Sequence, residues 1–304
     1  MSSTQKVHPI QLVINDASTF LGTGISAKFE IEEEDKKAYL YGKKVGEEID
    51  GAPLGFPGYK FKIRGGSDIA GFPHIKGIPG PGLKQVLKSR PPGYRPRKYK
   101  VEKKTGGYKI INLKGVKIKK TVRGEELSER TRQVNLIIIE RTGKKIEEMT
   151  EEEIFSDKIL AEIAYRLGKT IMKWGTQAVG IKTNEEYTPL VEKLSEVGIN
   201  EDILNMIYRK LGVHLIKLGE NRKIVIEPLK KISRKHPHPL GRYIAWVMYN
   251  IYQQAKNGQI NTDKPEELAE NIVNQIIEGI QKWLNGEMQK PPKMPLKIKE
   301  ETQE

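Results

Sequence analysis

The chain has 304 residues, which at about 150 residues per domain suggests two domains. It contains no cysteine, which excludes disulfides, thiolate metal sites, iron–sulfur clusters and cysteine nucleophiles. No apolar run reaches the roughly 18 residues of a membrane span, and no h-region follows Met1 to Lys6. A soluble cytoplasmic protein is the expectation.

The net charge of +14 is unevenly spread. Residues 55–123 carry 19 basic and 2 acidic residues, Asp68 and Glu102, a net +17 that exceeds that of the whole chain. Residues 151–304 are close to neutral, with 23 basic and 22 acidic residues. Like charges so dense repel at low salt and call for a polyanion. Nucleic acid is the first candidate and an anionic membrane surface the second.

The first half reads as β structure. Ile10 to Ile14 and Ile25 to Ile31 are predicted strands, with Gly22-Thr23-Gly24 as turn chemistry between them. Tyr59 to Ile63 alternates with period two, and Val134 to Ile139 is a short apolar run. Glycine and proline between residues 51 and 73 are too frequent for a long helix. The fold class predicted is α+β with two domains: an N-terminal small β-barrel with basic loops, residues 1–142, and a mainly helical C-terminal domain, residues 150–286, with one β-hairpin. Residues 287–304 are expected to be a flexible tail.

In the second half, Thr150 with Glu153 forms a capping-box pattern. Ile159, Leu160, Ile163, Leu167 and Ile171 then recur at helical spacing. Thr188-Pro189 opens a second helix stopped by Gly198. Asn200 caps a third, ending at Gly212. Residues 213–218 and 223–226 flank Gly219 to Arg222 as the predicted hairpin, which gives the order of a winged helix–turn–helix. Two helices follow over about 240–256 and 265–285, the second with Asp263 as N-cap and Gly286 as its stop. Acids Glu201 and Asp202 at the start of the third helix argue against nucleic-acid recognition there.

Enzymatic constellations are lacking. Gly22 to Ala27 fits G-x-G-x-x-A, but the sequence after it reads as a strand where pyrophosphate binding needs a helix. His236 and His238 stand among basic residues with no carboxylate near in sequence, which suits a basic loop ahead of a helix better than a metal site. Asp68 follows Gly65-Gly66-Ser67 and is expected to bond the backbone N–H groups of a turn. No enzyme activity, metal, cofactor or small-molecule substrate is expected. The basic tract instead interleaves Tyr94, Tyr99 and Tyr108 with its lysines and arginines, as an RNA-binding surface would.

Four blocks carry a family resemblance. Ile63-Arg64-Gly65-Gly66-Ser67-Asp68-Ile69-Ala70-Gly71-Phe72-Pro73 is preceded by Gly42 to Gly51 and Leu54 to Lys60. It is followed by Pro92-Gly93-Tyr94-Arg95-Pro96-Arg97 and by Lys119-Lys120-Thr121-Val122-Arg123-Gly124. In this order, over about residues 10–140, they resemble ribosomal protein six of the small subunit, eukaryotic/archaeal type. The resemblance implies a non-enzymatic β-barrel bound to small-subunit ribosomal RNA and neighbouring ribosomal proteins, in the cytoplasmic ribosome of an archaeon. It carries rRNA binding onto Arg64, Lys88, Tyr94, Arg95, Arg97, Lys119, Lys120 and Arg123. Charge alone adds Lys76, Lys84, Arg90, Lys98, Lys100, Lys103 and Lys104.

The chain departs from the family in three places. His74 stands where the family usually has Met. About 20 residues separate Arg97 from Lys119 where the family link is short. This insertion, about 100–119, reads as a basic hairpin turning near Lys114-Gly115, an extra finger into rRNA. Lastly, the resemblance stops near Gly143, and the helical half resembles no family. The alternative function is a non-ribosomal RNA-binding regulator with a helical partner-binding module. An RNA-processing enzyme with its chemistry in the helical half is a third reading, opposed by the missing acid/base residues.

Overall fold

A computed structural model describes residues 8–16, 20–88, 98–104, 106–112, 117–176, 180–183, 186–230, 238–259, 264–288 and 297–299. The chain divides into two compact units. One comprises residues 1–20 with 28–142, the other residues 21–27 with 143–304.

The first unit is mainly β. Its elements are β1 (Ile10–Asn15), β2 (Ser26–Ile31), α1 (Glu34–Leu40), β3 (Glu48–Asp50), β4 (Tyr59–Asp68), β5 (Leu83–Lys88), β6 (Lys98–Glu102), β7 (Tyr108–Asn112), β8 (Ile118–Arg123) and β9 (Thr131–Arg141). Five of them form one sheet in the order β2-β1-β9-β4-β3. β9 lies at its centre, parallel to β1 and antiparallel to β4. The alternation read from the sequence becomes the core. Ile10, Leu12 and Ile14 alternate inward on β1, Phe61 and Ile63 on β4, and Val134, Leu136 and Ile138 on β9.

The expected barrel is not there: the five-stranded sheet is open. Closure needs two edge strands long enough to pair with each other, and the edge strand β3 has three residues. The strands that would extend the wall pair elsewhere. β5 pairs with β8 and β6 with β7, each pair a separate two-stranded ribbon. The insertion therefore forms its hairpin in another register. Tyr108–Asn112 pairs back onto Lys98–Glu102, with Gly106 and Gly107 in the turn at φ +82° and +82°. It does not fold forward onto Ile118–Arg123, and Lys114-Gly115 lies outside the described residues.

The second unit is mainly helical: α2 (Glu151–Ser156), α3 (Lys158–Thr176), α4 (Leu190–Lys193), α5 (Glu201–Lys217), α6 (Asn221–Lys230), α7 (Pro239–Lys256) and α8 (Pro265–Leu284). The capping box forms as read. The Thr150 hydroxyl accepts from the Glu153 N–H, and the Glu153 carboxylate from the Thr150 N–H at 2.7 Å. Asp157 interrupts the helix that follows and recaps α3 by accepting from the N–H groups of Ile159 and Leu160. α3 packs on α5 and α7, and α8 closes against α5 and α7. Three short strands, β10 (Gly180–Thr183), β11 (Glu186–Pro189) and β12 (Lys297–Lys299), make a small sheet in the order β11-β10-β12. Part of the expected tail is thus a strand parallel to β10. Asp263 lies outside the described residues, and Lys264 takes the N-cap position of α8.

The predicted hairpin of residues 213–226 is two helices, and with it the winged helix–turn–helix order falls. Gly212 does not stop α5, because its role is closeness. A Cβ there would lie 1.8 Å from the Ala164 carbonyl oxygen on α3, and one on Gly168 would lie 2.0 Å from that of Tyr208 on α5. These two glycines let the helix backbones touch. Helical spacing then continues through Leu211, Leu215 and Ile216, all buried. Arg222, at the start of α6, fixes the turn. Its Nε donates to the Leu215 carbonyl at 3.1 Å and its Nη2 to that of Ile216, satisfying the end of α5. The apolar, β-branched run of 213–226 mimics strands, but the buried positions keep the helical period.

Gly212→Ala is therefore expected to destabilise the helical unit by about 1–3 kcal/mol, the cost of forcing packed backbones apart. Urea melts of the full chain followed by circular dichroism at a helix wavelength would measure it.

Candidate nucleic-acid interface

Asp68 ends β4 and starts the tight turn that the glycine-rich block specifies. Its Oδ1 accepts from the Phe72 N–H at 2.7 Å, and its carbonyl oxygen accepts from the Gly71 N–H at 3.0 Å, with Gly71 at φ +83°. The expected turn role is thus observed. A second role comes with it, since Asp68 Oδ2 accepts from Arg123 Nε at 2.8 Å. Both residues are buried, with 3% and 6% of their surface exposed. Arg123 Nη1 also donates to the Pro81 carbonyl at 2.8 Å. Arg123, which the resemblance expects at the rRNA, is buried in the structure. Its guanidinium is held inside the protein, tying the turn after β4 to the end of β8.

The backbone completes the joint. The Arg123 N–H donates to the Pro73 carbonyl at 2.9 Å, and the Ile75 N–H to the Arg123 carbonyl at 3.1 Å. The Gly124 N–H donates to the Gly82 carbonyl at 2.9 Å. Gly66 has to be glycine, because a Cβ would stand 2.2 Å from the Gln133 carbonyl oxygen of β9.

His74 lies inside this joint, 5% exposed. Its Nδ1 is 2.7 Å from the Gly124 carbonyl oxygen, and its Nε2 is 3.1 Å from the Thr131 hydroxyl. A carbonyl only accepts, so Nδ1 carries the proton. The Thr131 hydroxyl, which itself accepts from the Ser128 N–H, donates to Nε2. This neutral tautomer satisfies every partner. Burial foremost, with the Arg123 charge adding to it, holds the pKa of the imidazole below its usual value. A residue that departs from the family pattern is thus fully bonded in place.

On this base stand the ribbons. Opposed residues of an antiparallel pair share a face. Lys84, opposite Val122, and Lys120, opposite Val86, lie on one face of the β5–β8 ribbon. Lys119, opposite Leu87, lies on the other with Gln85 and Leu83. Lys88 stands opposite Ile118, Lys98 opposite Asn112 and Lys100 opposite Ile110. Lys103 and Lys104 begin the turn between β6 and β7. Arg64 is exposed on β4 and Lys76 on the loop that leads to β5. Arg90, Tyr94, Arg95 and Arg97 lie outside the described residues.

The charges fall into two sets. Lys36, Lys43, Lys60 and Lys62 are paired with Glu33, Glu47, Glu140 and Glu48 at 2.6, 2.8, 3.0 and 2.9 Å. Among the described residues, Arg64, Lys76, Lys84, Lys103, Lys104, Lys119 and Lys120 have no carboxylate partner. Lys84 reaches only the Pro79 carbonyl, at 3.0 Å. Lys60 and Lys62 on the sheet are thus paired, whereas Lys84, Lys119 and Lys120 on the β5–β8 ribbon and Lys103 and Lys104 at the β6–β7 turn are not, nor are Arg64 on β4 and Lys76 on the loop before β5. Within the described residues, no group of three or more His, Asp or Glu side chains is placed to hold a metal, and no helix is long and apolar enough to cross a membrane.

Comparison with known proteins agrees with the glycine-rich block and the strands around it. The family model of ribosomal protein S6e matches residues 11–151. The small ribosomal subunit protein eS6 of Methanocaldococcus jannaschii is 38% identical over 110 residues, covering 36% of this chain and 72% of that protein. The protein of the same name from Nanoarchaeum equitans is 33% identical over 147 residues, 48% of this chain and 94% of the relative. That of Hyperthermus butylicus is 43% identical over 100 residues, 33% of this chain, and the match spans only 39% of the relative. The chain belongs to the ribosomal protein S6e family. Residues 152–304 lie outside the family match.

Two predictions concern the joint. Asp68→Asn or Arg123→Met alone leaves a buried charge unpartnered, and each is expected to cost about 3–5 kcal/mol in denaturant titrations. Stability should also fall with acid. The unfolded His74 takes a proton near its ordinary value of about 6.5, whereas the folded one resists it until lower pH, so the unfolded state binds more protons between the two values. Stability is thus complete above about 6.5 and declines below it. In His74→Gln the decline should be shallower than in the parent, with the remaining histidines as common background.

Proposed function

We propose that this chain is a structural constituent of the small ribosomal subunit that grips ribosomal RNA through its basic ribbons. The observation that supports this best is the unpaired set: Lys84, Lys119 and Lys120 on the ribbon pinned to the sheet, Lys103 and Lys104 at the β6–β7 turn, Arg64 on β4 and Lys76 on the loop that leads to β5. Cations without carboxylate partners release the counterions of a polyanion when they bind it, and phosphates are the partner they fit. An A-form helix presents phosphates on either side of a narrow groove, and a two-stranded ribbon with lysines on both faces can lie against both walls. Lys88, Arg90, Tyr94, Arg95, Arg97, Lys98 and Lys100 join the surface by charge and by the matching family blocks; Tyr94 is a stacking platform. Arg123 is left out, as the residue that holds the ribbon.

In this reading residues 1–142 are the rRNA-binding body and the β6–β7 hairpin an extra finger into rRNA. The near-neutral helical unit packs on neighbouring ribosomal proteins. The protein works in the cytoplasm, on the ribosome, as an archaeal member of the family, and catalyses no reaction.

The test is incorporation. Full-length protein added to small subunits stripped of their own family member should cosediment with the particle on a sucrose gradient. Combined replacement of Lys84, Lys119 and Lys120 by Gln should lower apparent affinity at least about tenfold near physiological salt, as expected for the loss of about three phosphate contacts. Binding to rRNA without entry into the particle would favour the non-ribosomal regulator.

A further inference from the structure

One open cleft in the first unit remains without a role. It has a volume of about 480 Å³ and is bounded by Tyr41, Pro81, Gly82, Glu126, Glu129 and Arg130. Pro81 and Gly82 lead directly into β5, and the Arg123 that ends β8 forms part of the wall. The cleft therefore sits at the root of the basic β5–β8 ribbon, where a strand following the ribbon would arrive.

Its chemistry differs from that of the ribbon. Two acidic residues, Glu126 and Glu129, line the space together with Arg130, while the guanidinium of Arg123 is committed to Asp68 and Pro81. A phosphate here would meet two negative charges. A nucleobase is neutral and carries donors and acceptors along one edge. Carboxylates accept from its amino and imino N–H groups, and a guanidinium donates to its carbonyl or ring nitrogen. Tyr41 supplies an aromatic wall, and Glu129 acts on its phenol, which burial and the nearby Glu34 and Glu129 charges keep protonated above its ordinary pKa. Ser128 also lines the space, and its Oγ is buried with no hydrogen-bond partner.

We propose that this cleft receives one unpaired, amino-bearing base of the RNA held by the ribbon. Guanine fits best, because its N1–H and N2–H₂ groups can donate side by side to one carboxylate. This rests on the rRNA-binding reading and adds to it a site that reads a base where the ribbons only hold phosphates. Single-stranded RNA is recognised by splaying a base out of its stack and engaging its edge in this way.

Gly82 allows a clean block. A Cβ at that position would meet no atom within 4 Å, so Gly82→Trp sets an indole at the mouth of the cleft, and a denaturant melt matching that of the parent checks that the fold is kept. Full-length protein would be bound to protein-free small-subunit rRNA transcribed with 6-thioguanosine, irradiated and mapped by mass spectrometry. The expected result is a cross-link in the peptides containing Tyr41 or residues 126–130, lost in Gly82→Trp. Affinity should fall about tenfold, with the dependence on salt unchanged because no phosphate contact is removed. Glu129→Gln, which keeps the volume, should reduce the same cross-link. Cross-links confined to the ribbons, or affinity unchanged in both variants, would overturn the cleft while leaving the ribbon reading intact. If the parent protein fails to bind rRNA at all, the rRNA-binding reading itself falls.

Discussion

The bond on which this architecture depends is the buried pair between Asp68 and Arg123, 2.8 Å apart. It acts together with the backbone hydrogen bonds of the joint and with the buried side chain of His74, which bonds to Gly124 and Thr131. Asp68 shapes the turn after β4, and Arg123 ends β8, 55 residues later. The pair and the segment from Phe72 to Ile75 knit them into one joint. A buried ion pair contributes little net stability compared with an apolar contact, but removing either partner is costly. Such a pair sets geometry more than it adds energy. Here it fixes where a ribbon of like charges leaves the sheet.

That geometry explains how the protein carries its charge. Seven cations without carboxylate partners would repel one another wherever they stood. Three stand on the two faces of the β5–β8 ribbon and two at the β6–β7 turn, with Arg64 on β4 and Lys76 on a loop. On the sheet, Lys60 and Lys62 are answered across strands by Glu140 and Glu48. In the proposed reading the unpaired lysines of the ribbons are what draws the RNA. The helical unit shares none of this charge excess, which accords with a role toward protein.

Much of this was legible in the sequence, and the misreadings have physical causes. β1, β4 and β9 follow from period-two alternation, and the Thr150 capping box from its spacing. The family blocks identified the turn at Gly65 to Pro73. A barrel was expected because many short strands with glycine turns suit several β architectures, and local pattern does not say whether edges meet. The insertion was read with the wrong partner strand because register depends on tertiary pairing, and Gly106-Gly107 offered a turn as good as Lys114-Gly115. Residues 213–226 were read as strands because Val, Ile and Leu serve a buried helix equally well, and Gly212 looked like a stop when it marks a close crossing. Arg123 was placed with the RNA contacts by the matching family block, Lys119 to Gly124. The sign against that was Asp68, one of only two acids among nineteen bases, since a lone carboxylate in such a tract has reason to be paired and buried.

The division of cations into paired and unpaired sets can be read directly from the salt dependence of rRNA affinity. Two full-length variants should be compared with the parent in plots of log K against log salt concentration. One replaces Lys84, Lys119 and Lys120 by Gln, and the other replaces Lys60 and Lys62 by Gln. The first should be shallower than the parent by about 2 to 3, at about 0.7 to 0.9 per lost phosphate contact. The second should keep the parental slope. Equal changes in both, or none in the first, would contradict the claim that the ribbons carry the RNA.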